Sequence, residues 1–328
     1  MVLLLNRKDL ESILTMKDVM KAVEEAFRQF ALGNVKMPLR PLIRLEKSNG
    51  SVNYMPAYVG GINALAVKVV AVYPDNPKNH NLPTIQGTVL LHDPETGSLL
   101  AIMDGGFITA MRTGAASGVA TKYLARKNAK VLGIFGCGTQ ARTQLAAVNE
   151  TRKLETAKAY DVLPQARKTF SEEMSKKLGI NVIPTDNPKD VVTNSDIIIT
   201  ATTSKEPVFK GKWLENGCHI NGIGSHFGPG WREFDETTIK RAKVVVDSKE
   251  ACLKEAGDII DPIQMGVISQ DHIYAELGEI IAGKKKGRIN DDEITLFKSV
   301  GLALQDTATA MKAYEKAKAL NIGKTVSI

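Results

Sequence analysis

A doubly wound parallel α/β sheet, inserted into an α+β domain built from both chain ends, is the fold class that three observations predict. At 328 residues the chain exceeds the usual size of one core, so two domains are expected. Short β-rich runs over residues 38–103, divided by Gly, Pro, Asn and Asp turns, point to an antiparallel sheet. After Lys130 apolar strands alternate with helical segments, the pattern of a parallel sheet wound on both faces.

The elements follow in order. Thr15 and Asp18 make a capping-box start, and Val19, Val23, Ala26, Phe27 and Phe30 recur at helical spacing until Gly33. Residues 42–45, 66–70 and 87–91 read as strands, and the Ala, Thr and Gly of 108–124 as a tightly packed helix leading out of the sheet. Strands are then expected at 131–135, 157–161, 181–183, 196–201, 219–223 and 243–247, with helices reaching about 149 and 177. Val300, Leu304, Met311 and Tyr314 mark a long final helix that returns to the first domain. The boundaries read as 1–120 with 299–328 for the outer domain and 121–298 for the inserted one.

Composition excludes several classes. With 43% hydrophobic and 24% charged residues the chain is globular rather than disordered or fibrous. Residues 1–5 are apolar, but Asn6, Arg7 and Lys8 follow at once, so no signal peptide or membrane span is expected and the location is read as cytoplasmic. Cys137, Cys218 and Cys252 are widely spaced, with no C-x-x-C and no histidine pair, so neither a disulfide framework nor a metal site is expected. The net charge of +7 raises the question of nucleic acid. The one dense basic run, Lys284, Lys285, Lys286 and Arg288, has no interleaved aromatic residues, so no nucleic-acid partner is expected.

One motif carries chemistry directly. The apolar run Val131, Leu132, Gly133, Ile134, Phe135 leads into Gly136, Cys137, Gly138, Thr139, Gln140 and Ala141, a G-x-G-x-x-A fingerprint. The first Gly permits the tight turn, the second lets backbone approach a pyrophosphate, and Ala141 lets the helix sit close on the strand. Asp161 ends the next strand, 25 positions after Gly136 (161 − 136), where an acid grips the ribose hydroxyls of NAD. Val162 and Leu163 follow it, leaving a 2′-phosphate uncompensated, so NADH is expected in preference to NADPH. Thr202 and Thr203 follow another strand of this Rossmann pattern and read either as cofactor contacts or as turn residues. Lys68 lies in an apolar strand, either buried with a partner or on an edge facing solvent.

Several blocks carry a further resemblance: Met55-Pro56-Ala57-Tyr58, Ala66-Val67-Lys68-Val69-Val70, Thr109-Ala110-Met111-Arg112-Thr113-Gly114-Ala115-Ala116-Ser117, and the fingerprint itself. With Asn221-Gly222-Ile223-Gly224-Ser225 and Leu296-Phe297-Lys298-Ser299-Val300-Gly301, they resemble the ornithine cyclodeaminase/mu-crystallin family over nearly the whole chain. The resemblance implies a homodimer whose outer domain carries the dimer contact and half of the substrate pocket. It implies that Arg112, Lys68 and Arg40 hold a substrate carboxylate, with Arg44 the competitor of Arg40 for its place. Thr84 becomes a substrate contact. Ser299 and Val300 fall on the substrate side, and Lys298, Gly224 and Ser225 on the cofactor side. Asp306, on the following helix, reads as a solvated carboxylate.

Two departures move the expected substrate. The cyclodeaminases place acids where this chain has Asn53 and Gly224-Ser225-His226, so a second ammonium would lack its partners. The stretch from Gly224 to Glu233 instead resembles the branch holding ketimine and pyrroline-2-carboxylate reductases. His226 reads either as a proton donor to the reduced nitrogen or as a loop histidine. The expectation is therefore an NADH-dependent reductase of a small cyclic imino acid, Δ1-pyrroline-2-carboxylate, forming L-proline. The alternatives are an alanine dehydrogenase, an ornithine cyclodeaminase, and a non-catalytic binding protein like mu-crystallin.

Overall fold

The computed structural model describes residues 1–225 and 228–327. The chain divides into two compact units, Met1–Arg112 with Leu302–Ile328, and Thr113–Gly301. The first division falls inside the long helix Gly105–Leu124, before residue 120, and the second falls after Gly301.

Unit one holds a mixed sheet. Among the described residues its strands run Lys324–Val326, Val2–Leu5, Leu99–Asp104, Ile85–His92, Ala64–Val72, Gly50–Val59 and Val35–Lys36, with Leu42–Leu45 also on Gly50–Val59. The strands between residues 42 and 104 pair antiparallel, as their turn-rich spacing implies. Val2–Leu5 departs from that, running parallel to Leu99–Asp104. Pro56 lies within Gly50–Val59 yet breaks no ladder on the outer side, because it falls between the two short partners at residues 50–53 and 58–59. Alternation places Met55 and Ala57 opposite Lys68 and Ala66 on one face, against the helix Ala303–Leu320. Ala303, Ala308, Ala310, Ala313 and Ala317 are buried on that helix, small enough to bring it close. The helix Met16–Ala31 covers it, its start fixed by the reciprocal Thr15 and Asp18 cap and its buried stripe formed by Val19, Val23 and Phe27.

Unit two is a fully parallel sheet. Its order among the described residues is Asn181–Pro184, Thr156–Tyr160, Val131–Phe135, Ile197–Thr200, His219–Gly222, Thr295–Lys298, Lys243–Val246 and Ile273–Glu276. Ile197, Ile198 and Ile199 are all buried, as a strand covered on both faces requires. The chain winds outward from Val131–Phe135 to Asn181–Pro184, then returns to the other side of its starting strand at Ile197–Thr200. That reversal opens a crevice at the carboxyl ends of the two central strands, where such sheets bind ligands.

Candidate active site

Unit one holds a buried charge cluster. Lys68, 1% exposed, sits in the interior strand Ala64–Val72 and so takes the buried placement rather than the edge one. Its Nζ donates to Asp306 at 2.9 Å and to Thr109 Oγ1 at 3.2 Å. Asp306 is buried on Ala303–Leu320, not solvated, and it also accepts from Arg112 Nε at 3.1 Å. Arg112 Nη1 donates to Gln305 at 2.7 Å. The Gln305 amide nitrogen is buried without a hydrogen-bond partner among the described residues, an unused donor within the same cluster.

The electrostatics of this cluster are lopsided. Burial pushes the Lys68 ammonium down to about 7; Asp306 pulls it back up, while Arg112 and Arg40 press in the same direction as burial. The Lys68 ammonium and the Arg112 guanidinium thus share the one Asp306 carboxylate. Arg40 is half-buried, its Nη1 reaching Met55 Sδ at 4.0 Å, whereas Arg44 is exposed. Asn53 lies two positions from Met55 on the same strand face, opposite Val70. Thr84 is half-buried, and its carbonyl accepts from the Tyr73 amide at 2.8 Å.

Unit two holds a crevice of its own. Gly136 has φ +87°, and a Cβ there would stand 2.4 Å from the Ala201 carbonyl oxygen, so only glycine makes the turn. Gly138 faces open space and caps Thr139–Thr151 without a side-chain bond, leaving the helix N–H groups to an anion. Thr139 and Gln140 begin this helix, and Ala141 is buried beneath it. Asp161 holds the turn, accepting from the Cys137 amide at 2.9 Å through one oxygen and from the Leu163 amide at 2.9 Å through the other. It stays partly exposed at the strand end, with lone pairs for a ribose. Dinucleotide thus fits the residues present, with residues 136–141 for the pyrophosphate and Asp161 for the adenosine ribose.

The far side of the crevice is tied together by buried carboxylates that sequence reasoning missed. Glu233 accepts from Thr202 and from the Gly224 amide. Asp258 accepts from the amides of Glu233 and Phe234 and pairs with Lys298 at 3.1 Å. Lys298, fully buried, also donates to the Gly224 carbonyl, so its charge is spent inside the fold. Asp247 accepts from Ser299 Oγ, Val300 N and Gly301 N at 2.7, 2.9 and 2.8 Å, pinning that segment. Ser225 is buried at φ +56°, its hydroxyl donating to the Trp231 carbonyl. Thr203 is exposed, and His226 lies outside the described residues. No signal short of the fold marks these acids, because their partners lie in other segments of the chain. Among the described residues no group of His, Cys, Asp or Glu could hold a metal, and no helix is long and apolar enough to cross a membrane.

A fingerprint turn at the switch point of a parallel sheet, carried by a chain that also buries a cationic cluster, defines a dinucleotide-binding α/β protein with a second unit suited to a small anion. The chain belongs to the ornithine cyclodeaminase/mu-crystallin family, whose sequence profile matches residues 2–321. It is similar to the solved Δ1-pyrroline-2-carboxylate reductase of Thermococcus litoralis in complex with NADH and L-proline. That likeness reaches 55% identity and a TM-score of 0.96, covering 99% of this chain and 100% of the other. It is 44% identical over 324 residues to the alanine dehydrogenase of Archaeoglobus fulgidus, covering 99% of this chain and 98% of that one. A solved archaeal alanine dehydrogenase dimer with bound NAD is 42% identical with a TM-score of 0.93, covering 100% of this chain and 99% of the other.

Proposed function

We propose that the chain is an NADH-dependent reductase of Δ1-pyrroline-2-carboxylate, forming L-proline. The observation that carries this reading is the buried cluster of Lys68, Arg112 and Asp306: two cationic side chains on one carboxylate, and an unused Gln305 donor beside them, a setting suited to one further carboxylate. Arg112 holds that carboxylate as a permanently charged fork, its own orientation set by Asp306 and Gln305. Lys68, poised near neutrality, can hold or release a proton at Nζ within the physiological range. Bound NADH supplies the hydride. The imine carbon is presented by the clamp on its carboxylate, which is the proximity contribution.

Ornithine is disfavoured for a physical reason. Among the described residues Glu233, Asp258 and Asp247 are the buried acids of the crevice, and each is already engaged by several donors. None is left for a second ammonium, and Asn53 offers only an amide. NADH is preferred to NADPH because the Asp161 carboxylate would repel a 2′-phosphate. The protein acts as a homodimer: Leu42, Ile43 and Leu45 of one short strand are all exposed, with Leu39, Leu82 and Ile85 also exposed in unit one, and the archaeal relative is described as a dimer. It resides in the cytoplasm, consistent with three free, buried cysteines.

The resemblance to alanine dehydrogenases supports a second reading, the reductive amination of pyruvate. One experiment separates them: NADH consumption with the cyclic imine, with pyruvate plus ammonia, and NAD-dependent ammonia release from ornithine. The proposal expects the first to dominate by kcat/KM. Fast turnover of pyruvate and ammonia with none of the imine establishes the second reading, and ornithine turnover as fast as imine reduction overturns both.

A further inference from the structure

Glu233 lies between the strand His219–Gly222 and the helix Glu236–Arg241, and it is fully buried. One carboxylate oxygen accepts from the Thr202 amide and the Thr202 hydroxyl, both at 2.8 Å. The other accepts from Thr200 Oγ1 at 2.7 Å and from the Gly224 amide at 2.9 Å. Thr202 and Gly224 belong to the turns that leave two neighbouring strands at their carboxyl ends, Ile197–Thr200 and His219–Gly222. A Cβ at Gly224 would stand 2.3 Å from the Thr202 carbonyl oxygen and 2.6 Å from the Glu233 carboxyl carbon, so the two turns and the acid are in close contact.

A carboxylate receiving this many donors has no lone pair left for substrate, so its action is through the groups it holds. Both turns lie beyond the switch point, on the opposite side from the Gly136 turn and Asp161. In a doubly wound sheet the two halves each bind one mononucleotide. We propose that Glu233 is a positioning residue for the nicotinamide half of the crevice: it locks the Thr202 turn to the Gly224 turn, and its hydrogen bonds go to those strand ends rather than to the Gly136 turn or Asp161. The inference rests on the reading that the crevice takes a nicotinamide dinucleotide.

Glu233→Gln is nearly isosteric and tests the assignment. Whichever way the amide is turned, its NH2 faces either the Thr202 amide or the Gly224 amide. The threonine hydroxyls can rotate to accept, but a backbone N–H cannot, so one turn loses its anchor. Calorimetric titration of the purified full-length protein with NADH and, separately, with ADP-ribose reads the two halves apart. The expected result is NADH binding weakened about tenfold or more, with ADP-ribose binding within about twofold of wild type. Thr200→Val removes one donor without disturbing a backbone partner, and it should give the same pattern in a smaller degree even where Glu233→Gln folds poorly. Unchanged NADH binding in both variants overturns the proposal, and so does equal weakening of ADP-ribose, which marks a general structural role. Failure of the wild-type protein to bind NADH while it binds no ADP-ribose either overturns the dinucleotide reading itself.

Discussion

Asp306→Asn is expected to lower the pH at which the protein loses its grip on a substrate carboxylate. In the wild type an Asp306 oxygen lies 2.8 Å from Lys68 Nζ. At an effective dielectric near 20, unit charges at that spacing attract by about 6 kcal/mol. Even a third of that, about 2 kcal/mol, displaces a pKa by roughly 1.5 units. Lys68 already stands down at about 7, and Asp306 is the largest influence holding it up. Without that charge, burial and the two guanidiniums remain, and Lys68 becomes neutral well below pH 7. The protonated form binds the carboxylate, so kcat/KM for imine reduction at saturating NADH should hold below about pH 7 in the wild type and fall above it. In Asp306→Asn the fall should begin at least about one unit lower. Lys68→Met serves as the control, because its profile lacks this limb while any titration of the imine persists. The same breakpoint in wild type and Asp306→Asn would refute the reasoning. Linkage supplies an independent check. The unfolded lysine keeps its proton to its ordinary value of 10.5, whereas the folded one loses it near 7, so the unfolded chain binds more protons between the two. Wild-type stability should therefore rise with pH across that window, and the rise should be missing in Lys68→Met.

Arg112→Lys keeps the charge but cannot reach Asp306 and Gln305 as a planar fork, so kcat/KM should fall by about a hundredfold or more, with NADH affinity measured by titration unchanged. Turnover near wild type would remove Arg112 from the clamp. Asp161→Ala should narrow the NADH-over-NADPH ratio of kcat/KM by about tenfold, since it removes both the ribose acceptor and the repulsion. A wild-type protein that favours NADPH would show that Asp161 does not select the cofactor.

What could be read in advance was whatever local chemistry determines. The Thr15 and Asp18 cap, the fingerprint turn with its obligatory Gly136, and the apolar parallel strands each announce themselves within a few residues. Partners distant in sequence do not. Lys68 was legible as unusual, but the partner that makes its burial tolerable stands 238 positions away on a helix whose spacing marks a buried face and names no contact. Glu233 is a common acid in an irregular segment and Asp258 an ordinary first-turn acid of the short helix Gly257–Gln264, and only the fold shows that they organise the crevice. The short strand Val2–Leu5 carries too few residues for alternation to show, so neither its membership of the sheet nor its parallel pairing with Leu99–Asp104 was predictable. Pro56 hid the strand Gly50–Val59, since a proline ordinarily argues against one.

The interrupted construction of unit one has a consequence for biosynthesis. Thr113–Gly301 is continuous and can collapse on residues already made, but the sheet of unit one waits for a helix, Ala303–Leu320, and an edge strand, Lys324–Val326, that emerge after everything else. Until then the nascent chain carries a lysine destined for burial without the carboxylate it pairs with, and a sheet lacking the helix that packs on Gly50–Val59 and Ala64–Val72. The interval in which a ribosome translates the inserted unit is therefore the period when this protein has most need of a chaperone, and slowing translation across residues 113–301 should lengthen it.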